Sequence, residues 1–314
     1  MKLIVGPIAL ALMLSASAGG AQGFPTHPIH IIVPFSPGTS GDLVSRLVAE
    51  ELKASLQQPV LIENRVGASG RVGVGSLARA PADGYTIGMG NESTHLTIPL
   101  LNGRTAYDPV RDFTPLTLAV RTTMAIAVNP SVLPVATLPE LIALAKTRSI
   151  PFGSPADGSP QHLIGKLLAQ RSGGQFEHVE RAGAADTAGE LAEGRLPMAI
   201  STLSSLLEHP GKLRILAIGD AARRADLPNV PTLGETWPDL VVTGWLAYFA
   251  PAQVPPEVAA RLSAALQAAL RKPVVALALR QRALEPASGP AEELGQLMRS
   301  GLDAWGPLLR KMPD

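Results

Sequence analysis

The sequence predicts an α/β chain folded into two lobes, each a mostly parallel sheet flanked by helices. Three observations carry this reading. Short apolar runs alternate with helical stretches along the chain, which is the pattern of strands joined by crossover helices. A strand, a Gly/Ser/Asp-rich loop and a helix start follow one another at residues 31–56 and again at residues 150–168. A chain of 314 residues has the length of about two domains and can bury a sizeable core.

The first strand is Ile31, Ile32 and Val33. The loop from Pro34 to Asp42 leads into a helix whose apolar residues Leu43, Val44, Leu47, Val48, Leu52 and Leu56 recur at helical spacing. The first amides of such a helix point into the loop without intrahelical partners, and the helix dipole favours negative charge there. The loop is therefore an anion-site candidate, with Ser40 or Asp42 as N-cap and Gly38 free to take a left-handed backbone. An ordinary capped connection with no ligand fits the same residues equally well. Neither the three-glycine dinucleotide fingerprint nor the Gly-Lys-Ser/Thr phosphate loop is present, which argues against a nucleotide.

Val60-Leu61-Ile62 reads as the second strand, residues 72–80 as a helix, and Tyr85-Thr86-Ile87-Gly88-Met89 as the third strand after the turn Ala82-Asp83-Gly84. Ligands of parallel α/β sheets sit beyond the carboxyl ends of the strands. The loop from Gly90 to His95 should thus open beside the first. Residues 113–128 are mostly apolar and read as extended chain leaving one domain for the next. Leu138, Leu141, Ile142 and Ala145 mark a helix over residues 138–147, and residues 150–153 a strand. Ser159 then caps a helix that starts at Pro160 and carries Leu163, Ile164, Leu167 and Leu168. Strands at residues 177–179, 198–202, 213–218 and 245–250 and a helix at residues 187–193 continue the alternation, and after Pro255-Pro256 the chain reads as helical to its end. The stripe Leu294, Met298, Leu302, Trp305 and Leu309 on the last helix reads as core packing.

The N-terminus carries a targeting pattern. Lys2, an apolar run over residues 3–14 and the small residues Ala16-Ser17-Ala18 and Gly19-Gly20-Ala21 describe a secretory signal cleaved after Ala18 or Ala21. The run falls short of the ~20 residues that span a bilayer. Lys plus Arg (27) balance Asp plus Glu (26), so there is no general basic field for nucleic acid or anionic lipid. Aromatic residues, 4 % of the chain, are too few for a stacking platform. The absence of cysteine excludes disulfides, thiolate metal sites, cysteine nucleophiles and a lipid anchor on the signal.

Two lobes offering donor-rich loops at helix starts suit a cleft that closes on a small anion. Charge-assisted hydrogen bonds contribute roughly 1.5 to 3 kcal/mol each, whereas association costs ~4 kcal/mol or more and micromolar binding needs ~8 kcal/mol net. One exposed loop falls short, and enclosure between two lobes supplies the remainder.

Val33-Pro34-Phe35-Ser36-Pro37-Gly38, residues 59–65, Ala82-Asp83-Gly84-Tyr85-Thr86, residues 107–113 and Ser159-Pro160-Gln161-His162-Leu163 resemble, in order, the Bug or tripartite tricarboxylate transporter (TctC-like) substrate-binding receptors. So do Gly211-Lys212-Leu213-Arg214 and residues 227–232. The resemblance runs from about Phe24 to the final helix. It implies a type II, Venus-flytrap periplasmic-binding-protein fold, with residues 22–123 and 244–314 in lobe 1, residues 124–243 in lobe 2 and residues 1–21 removed as signal. It further implies a monomeric, soluble periplasmic receptor, not an enzyme, that uses no cofactor or metal. Such a receptor holds a small organic carboxylate between its lobes and presents it to membrane transporter subunits.

Carried over by position, the resemblance implies a first binding loop of Phe35, Ser36, Gly38, Thr39 and Ser40. The second is Asn91, Ser93, Thr94 and His95, and the third is Ser154, Asp157, Gly158, Ser159 and Gln161. Gly183 and Ser201 stand where the far end of the solute would be read, and both lie in departures from the family pattern. Glu180-Arg181-Ala182-Gly183 replaces a Pro-Tyr-Lys-Gly stretch, and Ile200-Ser201 replaces a Phe-Asp strand end.

Arg181 is expected on the surface with Glu180, and His162 is expected to be structural. His95 either donates to the solute or caps its own loop. His27 and His30 lack a third ligand at metal spacing. Two other functions compete. An exported serine hydrolase would need a nucleophile elbow, which is absent, and could only pair Ser36 or Ser93 with His95. A receptor that reports to a membrane sensor kinase would carry the same site.

Overall fold

A computed structural model describes residues 23–102, 106–155 and 158–310. The signal read at residues 1–21 and the candidate Asp157 lie outside them. The β-branched run at the start is strand β1 (Ile29–Val33), followed by α1 (Ser40–Leu56), β2 (Val60–Asn64), α2 (Arg71–Ala78) and β3 (Thr86–Asn91). A π-turn at Ser93–Thr97 runs into α3 (Ile98–Asn102). β4 (Phe113–Val128) is one strand of 16 residues. Next come α4 (Leu138–Ala145), β5 (Ile150–Pro155), α5 (Pro160–Ser172), β6 (Phe176–Arg181), α6 (Ala184–Ala192), β7 (Met198–Thr202), α7 (Leu203–Leu207), β8 (Arg214–Ile218) and α8 (Leu233–Thr236). The chain closes with β9 (Thr243–Pro251), α9 (Pro256–Arg271), α10 (Pro273–Arg280), β10 (Leu284–Gly289) and α11 (Ala291–Arg310).

These strands build two lobes around one shared element. β1 pairs in parallel with β2 and β3, and β5 pairs in parallel with β6 and β7. The inner strands are antiparallel, so each sheet is mixed: β9 lies between β3 and β4, β10 pairs β4, and the far half of β4 pairs β7 and β8. The reason is connectivity. Parallel neighbours need a crossover helix, whereas β4 runs straight from one lobe into the other and β9 returns beside it. Up to Thr123 β4 pairs with β9, and from Met124 onward with β7 and β8.

The two cores follow the same division. Val33, Val44, Val48, Leu52, Ile87, Leu262 and Leu266 form one, and Ile126, Leu141, Ile150, Phe152, Leu167 and Ile200 the other. A third cluster under the crossing joins Trp245, Phe249, Leu294 and Met298. Trp305 of α11 packs against it and against the second core, so the final helix leans across both lobes. At the crossing, the Gly219 N–H donates to the Met124 carbonyl at 2.8 Å, and the Val242 N–H donates to the Gly219 carbonyl at 2.9 Å. Thr123 Oγ1 donates to Asp220 at 2.7 Å.

Two expectations need correction. The last part of the chain is not helical throughout, because β10 intervenes. It was hidden by Pro286 and Gly289, which are tolerated since β10 lies on the edge of the sheet and pairs only with β4. The N-cap of α1 is Thr39, with an extended backbone and no side-chain bond, rather than Ser40 or Asp42. Among the described residues no single helix is long and apolar enough to cross a membrane. The bent pair α9 and α10, at 66°, matches by length and composition, but its Val258, Leu262, Leu266, Leu270, Val275 and Leu279 are buried in the first core.

The Gly219 crossing gives a direct test. A Cβ there would stand 2.2 Å from the Val242 carbonyl oxygen, and backbone cannot step aside as a side chain can. Gly219→Ala should therefore destabilise the protein by about 1 to 3 kcal/mol, read as an earlier urea midpoint.

Candidate functional site

The loops at the carboxyl ends of β1, β3, β5 and β7 converge where the lobes meet. There a cavity of about 70 Å³ lies between Ser40 of α1, Asn91, Glu92 and Ser93 after β3, Pro160 and Gln161 of α5, and Thr202 at the end of β7. Its floor is Thr122 and Met124 of β4 with Trp245 and Leu246 of β9. The lobes touch on either side of it. Ser40 Oγ and Ser204 Oγ share a hydrogen bond at 3.2 Å, and Leu101 sits against Gly158, where a Cβ would lie 2.0 Å from its methyl. The cavity is small, and residues of both lobes wall it. Among the described residues, a hollow of about 380 Å³ beside Pro99, Tyr107 and Arg111 is lined by one stretch of lobe 1, residues 99–112, with none from the facing lobe.

Two helices begin at the cavity. The amides of Ser40, Gly41 and Asp42 have no acceptor among the described residues, as expected for a first turn. α5 is capped by Ser159, whose Oγ accepts from the His162 N–H at 3.2 Å, and Pro160 lacks an N–H to satisfy. The amide of Gly38, in contrast, is occupied. It donates to Asp42 Oδ2 at 3.0 Å, and Asp42 also accepts from Arg46 Nε and Asn64 Nδ2, each at 2.9 Å. Burial raises the Asp42 pKa, but these bonds outweigh it and hold the carboxyl below its usual range. Part of the anion-binding capacity of the first loop is thus taken by the protein's own carboxylate.

Glu92 is the reverse case. It is 5 % exposed, and among the described residues its Oε1 has no partner and it is the one ionisable side chain on the cavity wall. Burial pushes its carboxyl well above the ordinary value, offset only in part by its own backbone amide.

The sequence candidates among the described residues separate into two groups. Ser40, Asn91, Ser93 and Gln161 line the cavity. Phe35, Ser36, Gly38, Thr39, Thr94, His95, Ser154, Gly158, Ser159, Gly183 and Ser201 do not, and most of them hold the loops in shape. The Phe35 carbonyl accepts from Asn64, and the Ser36 carbonyl accepts from Thr39 Oγ1 at 2.7 Å. Gly38 has φ of +82° in open space. Thr94 Oγ1 accepts from the Asn91 amide, and Asn91 Oδ1 accepts from the Thr94 amide, both at 3.0 Å.

His95 is buried. Its Nδ1 pairs with Thr94 Oγ1 at 3.0 Å, its ring stacks on Phe249 with centroids 4.1 Å apart, and burial lowers its pKa to about 3, so it is neutral. Its ring thus braces its own loop, and among the described residues no hydrogen bond joins it to Ser93. Ser154 pairs with His178 at 2.8 Å, Ser159 donates to the Pro155 carbonyl, and Gly158 donates to His162 Nδ1, so His162 is structural. The Gly183 carbonyl accepts from Thr187, and Ser201 Oγ donates to the Ala184 carbonyl. Arg181 pairs with Glu190 at 2.5 Å rather than with the Glu180 side chain. His27 stacks on Tyr85 and His30 bonds Glu63, and no cluster of metal-binding side chains occurs among the described residues.

Sequence reasoning missed Glu92, Thr202 and the floor. The floor had no signal, because Thr122, Met124, Trp245 and Leu246 are ordinary strand residues until two strands cross. Glu92 did have one: it is the single charge in a loop of neutral donors.

Comparison with known proteins adds the following. Residues 44–313 match the family described as tripartite tricarboxylate transporter family receptor. The solved structure of R. palustris Rpa4515 with adipate is 31% identical, with a TM-score of 0.85 over 91% of this chain and 97% of that one. The periplasmic binding protein BugD is 27% identical, with a TM-score of 0.84 over 92% and 98%. MatC from Rhodopseudomonas palustris with bound malate is 26% identical, with a TM-score of 0.83 over 91% and 100%.

Asp42 and Glu92 predict opposite pH behaviour. The lowered Asp42 pKa contributes stability that is present above its ordinary value of 3.8 and lost as pH falls. Asp42→Asn should lower the melting temperature at neutral pH, with a gap that closes in acid. The raised Glu92 pKa means that stability is lost as pH rises above 4.5, the ordinary value. Glu92→Gln should melt higher than wild type, by a margin that widens from pH 5 to pH 8. Differential scanning calorimetry across pH checks both.

Proposed function

The chain belongs to the tripartite tricarboxylate transporter receptor family, with the two-lobed fold of periplasmic binding proteins, and from that premise we propose that it captures a small carboxylate-bearing solute between its lobes and delivers it to a membrane transporter. The protein acts as an exported, monomeric periplasmic receptor, with lobe 1 made of residues 22–123 and 244–314 and lobe 2 of residues 124–243. It carries out no reaction on its cargo. The observation that carries the reading is the cavity between facing lobes, where Ser40 at the start of α1 meets Gln161 at the start of α5 beside Ser93 and Thr202. Uncommitted amides at the α1 start suit a carboxylate. Adipate and malate in the sites of similar receptors support the same class of solute.

Release is part of the function, and neutral donors suit it. They hold a carboxylate without a permanent ion pair, and the bonds that close the lobes, such as Ser40 to Ser204, are weak enough to part.

In a thermal-shift panel, small carboxylates should raise the melting temperature and uncharged sugars should leave it unchanged; stabilisation by sugars alone would refute the reading. Gln161→Leu, which removes a donor and acceptor from the lobe 2 wall, should weaken carboxylate binding about tenfold in calorimetric titration.

A further inference from the structure

We propose that Glu92 is the specificity-determining residue of the cavity and that the solute it selects carries, besides its carboxylate, an ammonium group that meets Glu92: a small amino-carboxylate. This rests on the carboxylate reading above and sharpens it.

The geometry is asymmetric. On one side the α1 start brings amide donors without acceptors and the hydroxyl of Ser40. On the other, Glu92 lies on the wall with Oε1 unpartnered and almost wholly out of water. An unpaired buried acceptor is costly, and no neighbouring strand or helix supplies a donor for it among the described residues. Among the described residues no arginine, lysine or histidine lines the cavity to balance a second anionic group on the solute. The nearby positive candidates are committed elsewhere, with Arg46 on Asp42 and Arg181 on Glu190.

A second carboxylate on the solute could meet Glu92 only with one proton held between the two acids, in a space of about 70 Å³. A solute with a carboxylate and an ammonium satisfies both walls. The carboxylate takes the amides, and the ammonium donates to Oε1 as Glu92 ionises. Burial raises the Glu92 carboxyl well above its ordinary value while the cavity is empty, and an ammonium against Oε1 favours its ionised form again. The small volume favours a short backbone between the two groups.

The test is isothermal titration of the purified full-length mature chain with matched pairs: glycine against acetate, β-alanine against propionate, 4-aminobutyrate against butyrate, with malonate as the dicarboxylate. At least one amino acid should bind about tenfold or more tightly than its amine-free partner and than malonate. In Glu92→Gln, the preference should shrink to within about threefold, with the empty variant still melting cooperatively. Equal binding within every pair in the wild type, tighter malonate, or a preference unchanged in Glu92→Gln would overturn the proposal while leaving the carboxylate reading intact. Failure of every acid in the panel, amine-bearing or not, would overturn the carboxylate reading and this proposal with it.

Discussion

The site depends on one constraint: β4 is a single strand that belongs to two sheets. Because Arg121 to Thr123 pair with β9 and Met124 onward pair with β7 and β8, the lobes cannot be built independently of their junction. The cavity floor is the backbone of that junction. Thr122 and Met124 are fixed by ladder bonds rather than by loops, and the walls are then set by where β1, β3, β5 and β7 end. The cavity-lining side chains thus stand on short loops, or on the helix starts that follow them, each held by a strand at one end and a helix at the other.

Within that frame the loops are shaped by their own internal bonds. Asp42 gathers Gly38, Arg46 and Asn64, and Thr94 and Asn91 exchange bonds across their turn. The consequence is a division of labour inside each loop. Residues such as Thr94, Ser159 and Ser201 spend their hydroxyls on the backbone, and their neighbours Ser93, Gln161 and Thr202 are left facing the cavity. In all three cases the wall residue lies one or two positions from the supporting one.

That division explains what could be read in advance. The alternation of strands and helices, the long passage at residues 113–128 and the Ser159 cap were legible, because hydrophobic period and capping chemistry are local. The existence of three converging loops was legible for the same reason. Which side chain of each loop faces inward was not, since Ser93 and Thr94, or Ser201 and Thr202, are chemically alike and differ only in the direction set by the turn. Glu92 was read past because a charged residue among donors resembles a solvated loop until its burial is known. β10 was lost to Pro286, which marks an edge strand only when the neighbour strand is in view.

The position of β9 between β3 and β4 has a consequence for how the molecule comes into being. Strands β5 to β8 are contiguous in the chain, so the second sheet can assemble as soon as its own segment is made. β3, by contrast, keeps a bare edge until the polypeptide has been extended past residue 251, and pairing between such distant segments is slow. A chain that stops early leaves that edge open to any other extended peptide. The same delay keeps the first lobe unfinished for most of the time the protein is being synthesised.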